Sequence, residues 1–305
     1  MGNIIEVKDF YKNYGNVQAV KGISFQVKEG SSFAFLGPNG AGKSTTIDTL
    51  CTLIKCEHGD IKINGFQLGT EDNKIRKHIG VVFQNSVLDD YLTIKENLVQ
   101  RGSFYGMTKG ELNQRIDYVS KVTGVSDILN RCYGKLSGGQ KRRADIARAI
   151  IHAPKLLFLD EPTTGLDPKT RKSIWESISS MQKELGMTVF LTTHYMDEAA
   201  NADEVMVIKE GQIIEYGSPA YLKNRYTKDH LILYTNNNEI EDYFKIHNRD
   251  YVKKSDILKI AIKDKEDAIK ILNEVSEKVD SFEVIKGNMD AVFLNIIGTQ
   301  EEVEC

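Results

Sequence analysis

The chain has 305 residues, of which 41% are apolar and 27% charged, with a formal net charge of -3 at pH 7. Such values exclude wholesale disorder and low-complexity repeats, leave room for about two domains at the usual ~150 residues each, and give no overall attraction to nucleic acid. No apolar run approaches the roughly 18 residues needed to cross a bilayer, and the segment 1–7 lacks the basic and apolar parts of a signal peptide, so a cytoplasmic chain is expected. Cys51, Cys56, Cys132 and Cys305 form no CxxC pair and are expected to be reduced spectators.

Short apolar runs at 32–36, 80–83, 155–159 and 188–192 read as strands buried on both faces and separated by helical stretches, which predicts an α/β domain with a largely parallel sheet. The first run leads into Gly37-Pro38-Asn39-Gly40-Ala41-Gly42-Lys43-Ser44, followed by a helical stretch from Thr45 to Leu53. Strand, glycine-rich loop and helix are the context of a phosphate-binding loop: backbone N–H groups converge on phosphate oxygens, Lys43 bridges the β- and γ-phosphates, and the Ser44 hydroxyl ligates magnesium.

Between Gln84 and Leu136 the pattern turns polar and helical, with helices predicted at 93–104 and 109–123; this reads as an inserted helical subdomain over about 85–150. Leu88, Tyr91 and Leu92 are candidates either for an exposed docking surface or for burial inside that subdomain. Ser137-Gly138-Gly139-Gln140 then opens a helix with a serine cap, a second place where an anion can be held. The triplet Lys141-Arg142-Arg143 after it reads as a solvated face rather than a nucleic-acid patch. Leu156-Leu157-Phe158-Leu159 ends in Asp160, placed to hold magnesium through its water shell, and Glu161, placed to act on an attacking water.

A turn-rich hairpin around 211–219 closes the first domain, 1–224. Residues 225–305 carry a net charge of -5 and read as strand (231–234), helix (239–246), strand (257–262), helix (267–275), strand (282–285) and helix (289–297), a small α+β domain.

Gly37 to Ser44, Gln84, Leu136 to Gln140, Asp160-Glu161, Gly165-Leu166-Asp167 and His194 stand in the order found in ATP-binding-cassette (ABC) ATPases, and the chain resembles that family from residue 4 to about 220. The resemblance implies a P-loop NTPase fold and a head-to-tail homodimer. In it, ATP on Gly37, Pro38, Asn39, Gly40, Ala41, Gly42, Lys43, Ser44 and Thr45 of one subunit is capped by Ser137, Gly138, Gly139 and Gln140 of the other. It further implies magnesium near Ser44, Gln84 and Asp160, catalysis by Glu161, His194 and Lys43, a link between the two sites through Asp167, and adenine stacking on Tyr14, with Tyr11 as its competitor.

The segment 192–199 and the end of the tail look like the drug-resistance type of export ATPase, although Met289-Asp290-Ala291-Val292-Phe293 lacks the paired acids that often stand there. The expected function is therefore ATP hydrolysis that drives export through a separate membrane permease, at the inner face of the cell membrane. Alternatives are a non-transport ABC ATPase on ribosomes or DNA, an importer motor, and an ATP-binding assembly factor.

Overall fold

The computed structural model describes residues 2–237 and 239–298, and Cys305 lies outside them. The chain opens with long antiparallel strands β1 (Asn3–Tyr14) and β2 (Val17–Lys28), then β3 (Ser32–Leu36), α1 (Lys43–Leu50), β4 (His58–Ile63), β5 (Phe66–Gln67), α2 (Asp72–His78) and β6 (Ile79–Val82). Next come α3 (Ile94–Ser103), α4 (Lys109–Thr123), α5 (Gly138–Ile150), β7 (Leu156–Asp160), α6 (Pro168–Leu185), β8 (Thr188–Thr193), α7 (Met196–Ala199), β9 (Glu204–Lys209) and β10 (Gln212–Gly217).

The predicted parallel sheet has the order β10-β9-β3-β8-β7-β6, and only β10 runs antiparallel, as the second arm of the closing hairpin. Each central strand is buried on both faces, which is why its sequence is continuously apolar rather than alternating. Phe33, Phe35, Phe158 and Phe190 pack ring against ring across neighbouring strands at centroid distances of 5.2–5.8 Å, Phe33 stacked on Phe190 and the others tilted, each pair adding about 0.5–1.5 kcal/mol beyond burial. This fixes the strand ends above them. A second, antiparallel sheet, β2-β1-β4-β5, was not foreseen from sequence. The helical subdomain holds the two predicted helices, α3 and α4, each opened by a threonine–glutamate capping box at Thr93/Glu96 and Thr108/Glu111.

The chain divides into two compact units between Gly217 and Ser218. This is earlier than the expected break after Asn224, because α8 (Pro219–Tyr226) packs against the last helix of the second unit. That unit continues with β11 (Asp229–Tyr234), α9 (Glu239–Ile246), β12 (Tyr251–Lys254), β13 (Ile257–Ile262), α10 (Lys265–Val275), β14 (Ser281–Ile285) and α11 (Met289–Gly298). Its four strands form one antiparallel sheet, β12-β13-β11-β14, the split β-α-β arrangement. Leu231, Leu233, Phe244, Leu258, Ile260 and Ile271 are part of its own core. Among the described residues no helix is long and apolar enough to cross a membrane.

Candidate functional site

Four neighbouring strands deliver their carboxyl ends to one edge of the parallel sheet, the usual place for a ligand in an open α/β sheet. β3 delivers Gly37, β8 delivers His194, β7 delivers Asp160 and Glu161, and β6 leads to Gln84. Glu161 is the meeting point. Its Oε2 accepts from Gln84 Nε2 at 3.4 Å and Thr164 Oγ1 at 3.2 Å, and lies 3.4 Å from His194 Nδ1. Its backbone is left-handed (φ 44°), uncommon for a residue with a side chain, and is held there by its N–H donating to the Thr192 carbonyl at 3.1 Å.

The phosphate loop passes from β3 to α1 with Gly42 at φ 102°, where a Cβ would also stand 2.5 Å from the Ala19 carbonyl oxygen. Both facts require glycine. Lys43 is buried, and its ammonium donates to the carbonyls of Gly37 (2.6 Å) and Pro38 (2.9 Å), leaving a third N–H for a ligand. Burial pulls Lys43 below the usual lysine range, while the nearby carboxylates of Glu161 and Asp160 act against that pull. Loop and strand-end acids therefore share one site. A glycine-rich loop between a strand and a helix start, with a buried cation, fits a polyphosphate.

Asp160 accepts from Thr192 Oγ1 at 2.5 Å. Burial pushes its carboxyl up and Glu161 adds to that push, while the Thr192 hydrogen bond and the Arg142 and Lys43 charges draw it down. With the exposed Ser44 hydroxyl and the Gln84 amide it offers hard oxygen donors but one carboxylate, and no cluster of three His, Cys, Asp or Glu ligands exists among the described residues. That donor set suits magnesium held partly by phosphates and water, and not a cation held by protein alone.

Ser137 caps α5 in a box with Gln140, Ser137 Oγ accepting from Gln140 N (3.4 Å) and Gln140 Oε1 from Ser137 N (3.1 Å). Within the described residues no hydrogen bond joins Ser137, Gly138, Gly139 or Gln140 to the phosphate loop. Gly139 instead lies against Thr170, where a Cβ would be 2.5 Å from Thr170 Cγ2. Asp167 caps α6 through Thr170 N at 3.0 Å, a bond that helps hold its carboxyl below the usual range. Tyr14 is 51% exposed at the end of β1, with the Lys12 ammonium 5.6 Å from its ring centroid, whereas the Tyr11 ring lies against Gly22.

One reading of the sequence is corrected, and one left open is decided. The triplet 141–143 is not a solvated face: Lys141 pairs with Asp90 at 3.3 Å, Arg143 bonds Ser173 Oγ at 3.0 Å, and Arg142 is buried. The cause is that α5 is buried along most of its length, so its charged residues must find partners inside. Of Leu88, Tyr91 and Leu92, only Tyr91 is exposed; the two leucines are half-buried. Thr164 and Thr192, which hold the two acids, were missed because a lone threonine carries no pattern.

A family model described as ABC transporter matches residues 20–164. The linearmycin resistance ATP-binding protein LnrL of Bacillus subtilis (strain 168) is 40% identical over 233 residues, 76% of this chain and 75% of that protein. The daunorubicin/doxorubicin resistance ATP-binding protein DrrA of Streptomyces peucetius is 40% identical over 221 residues, 72% and 67% of the two chains. Among solved structures, cbiO1 from Clostridium perfringens, part of the ABC transporter complex cbiONQ, aligns with a TM-score of 0.69 at 33% identity, over 73% of this chain and 91% of that one. The ATP-binding cassette MJ0796, in a dimeric post-hydrolysis state bound to ADP and Pi, aligns with a TM-score of 0.64 at 29% identity, over 70% and 98%. The convergence of strand ends on Glu161, together with these likenesses, leads to one conclusion: the chain belongs to the ABC transporter family, as an ATP-hydrolysing subunit that works with a separate permease.

Proposed function

We propose that this subunit powers export of drug-like compounds, by closing on two ATP molecules as a homodimer and reopening after hydrolysis. The observation that carries the reading is Glu161 Oε2 in reach of Gln84, Thr164 and His194 beside the phosphate loop. Likeness to two proteins named for linearmycin resistance and for daunorubicin/doxorubicin resistance supports the direction and the substrate class.

In this reading Gly37 to Thr45 bind the phosphates, with Lys43 donating to the β- and γ-oxygens. Ser44, Gln84 and, through water, Asp160 hold magnesium, which neutralises phosphate charge when bound. Glu161 takes a proton from, or orients, the attacking water, and His194 donates to the γ-phosphate. Tyr14 stacks on adenine, since it is the more exposed of the two, 51% against 42%, and the Tyr11 ring lies against Gly22. Ser137 to Gln140 spend their side-chain hydrogen bonds on capping α5, which leaves the N–H groups of Gly138 and Gly139 for the nucleotide of a second subunit. Asp167 links the sites by holding the start of α6 beside Gly139. Exposed Tyr91 and Val87 belong to the permease contact, at the cytoplasmic face of the membrane. The second unit, 218–305, supports or regulates the dimer.

The test has two parts. Mixing Lys43→Ala with Ser137→Arg protein should restore ATPase activity above that of either alone, because some dimers then hold one intact composite site; no recovery contradicts the shared site. Purification of the native complex from membranes should bring down a permease and no extracellular binding protein; a ribosome or DNA partner instead would contradict export.

A further inference from the structure

Helix α5 does more than present Ser137 to Gln140. Arg142 and Asp145 stand three residues apart on one side of it, both buried, with 7% and 5% exposure. The Arg142 guanidinium donates to the carbonyls of four residues from two loops: Nη1 to Phe83 at 2.5 Å, Nη2 to Asp160 and Glu161 at 3.0 Å each, and Nε to Pro162. Asp145 accepts from Ser86 Oγ at 2.5 Å and Tyr133 Oη at 3.2 Å. Gln84 is thus gripped on both sides, through Phe83 and Ser86, and the same guanidinium holds the backbone of Glu161 on either side.

We infer that Arg142, backed by Asp145, is a positioning residue that sets Gln84 and Glu161 at their working separation. The inference rests on the roles given to those two residues above. Three features favour positioning over plain stability. The bonds go to main-chain carbonyls, so they fix where the two loops stand while leaving the reactive side chains free. The direct link between the loops at the site, Gln84 Nε2 to Glu161 Oε2, is long at 3.4 Å and cannot by itself fix their spacing. A buried arginine facing carbonyls is also an expensive way to fill a core, where an apolar side chain of similar volume is often neutral or better. Only a planar fork of five donors reaches four carbonyls on two loops; lysine, a point charge with three donors, cannot.

The full-length chain is assayed as Arg142→Lys and as Ser86→Ala, the latter an exposed residue whose substitution removes only the hydroxyl that bonds Asp145. Steady-state ATPase is measured together with affinity for a fluorescent ATP analogue and the melting temperature. A shift of about 1 Å at a reacting group costs up to ~100-fold, so Arg142→Lys should lower kcat ~10- to 100-fold while KM and analogue affinity move less than about threefold. Ser86→Ala should lower kcat about threefold or more, also at constant KM. Combining Arg142→Lys with Gln84→Ala should impair turnover at least about tenfold less than the product of the single losses. Wild-type kcat in both single variants overturns the inference. So does a loss of kcat matched by equal losses of affinity and melting temperature with multiplicative double variants, which is what a structural role gives. A wild-type chain that hydrolyses no ATP would instead overturn the functional reading, and this inference with it.

Discussion

Gly139→Ala measures how closely the starts of α5 and α6 must approach for one subunit to cap the nucleotide of another. The added methyl stands 2.5 Å from Thr170 Cγ2, whereas carbon atoms settle at about 3.5–4.0 Å. Something must yield: α5, α6 or the Thr170 rotamer. Overpacking of this kind costs about 1–3 kcal/mol, equivalent to ~5- to 150-fold in an equilibrium constant. Gly139 lies within α5, where alanine is the better helix former by about 1 kcal/mol, so the melting temperature of the monomer should hardly fall. The monomer relieves the overlap by shifting the start of α5 or α6, and the cost of returning them to the spacing the dimer needs falls on assembly. Sedimentation of Glu161→Gln protein with ATP, with and without Gly139→Ala, should show the ATP-dependent dimer weakened by that factor. Thr170→Ser, which removes the offending methyl, should restore most of it. An unweakened dimer in the glycine variant, or failure of the serine variant to rescue, would refute the reasoning.

Further outcomes follow from the site. Burial pushes Asp160 above its ordinary value of 3.8, so its contribution to stability in the metal-free chain is full below that value and is lost as pH rises through the raised pKa. Asp160→Asn should therefore raise the metal-free melting temperature near neutral pH, by about 2–4 °C per kcal/mol relieved, while abolishing magnesium-dependent turnover; a lower melting temperature would contradict the burial argument. Tyr14→Ala should raise KM for ATP by ~5- to 150-fold, the 1–3 kcal/mol typical of base stacking, with kcat little changed, and Tyr11→Ala should leave KM within about threefold; the reverse order would move the stacking role to Tyr11. Truncation after Gly217 should leave ATP affinity intact in an equilibrium binding assay and weaken dimerisation; loss of ATP binding by a chain still folded by circular dichroism would place part of the nucleotide site in the second unit.

What sequence could and could not reveal follows from the range of each signal. Gly37 to Ser44 and the strand ending in Asp160-Glu161 were legible because backbone geometry and strand burial dictate residue type over several consecutive positions. The tail helix at 239–246 and strand at 257–262 were placed correctly because amphipathic and alternating patterns are local. Strand β12 was missed because it is a short edge strand, largely exposed, whose residues Val252, Lys253 and Lys254 carry no alternation. The β1–β2 pair was missed although its strands are long, since bulges at several positions break the period of two. Arg142 was misread for a different reason. A charge near a helix start is usually solvated, and the contrary sign lay further along, in Ala144, Ile146, Ala147, Ala149, Ile150 and Ile151, which wrap the helix in apolar residues and mark it as buried. The Glu161 contacts bring together residues from three separate loops, and no local pattern encodes such a meeting.

The central claim is that Glu161 drives hydrolysis of ATP held beside it. Glutamine at this position preserves size and the strained backbone, and removes only the charge and the proton-accepting oxygen. A single-turnover measurement on full-length Glu161→Gln with radiolabelled ATP and magnesium should recover the bound nucleotide as ATP. Phosphate release should be slowed by about 10²- to 10⁴-fold, the usual contribution of a general base, at undiminished ATP affinity. Release of phosphate at the wild-type rate from that variant would contradict the account.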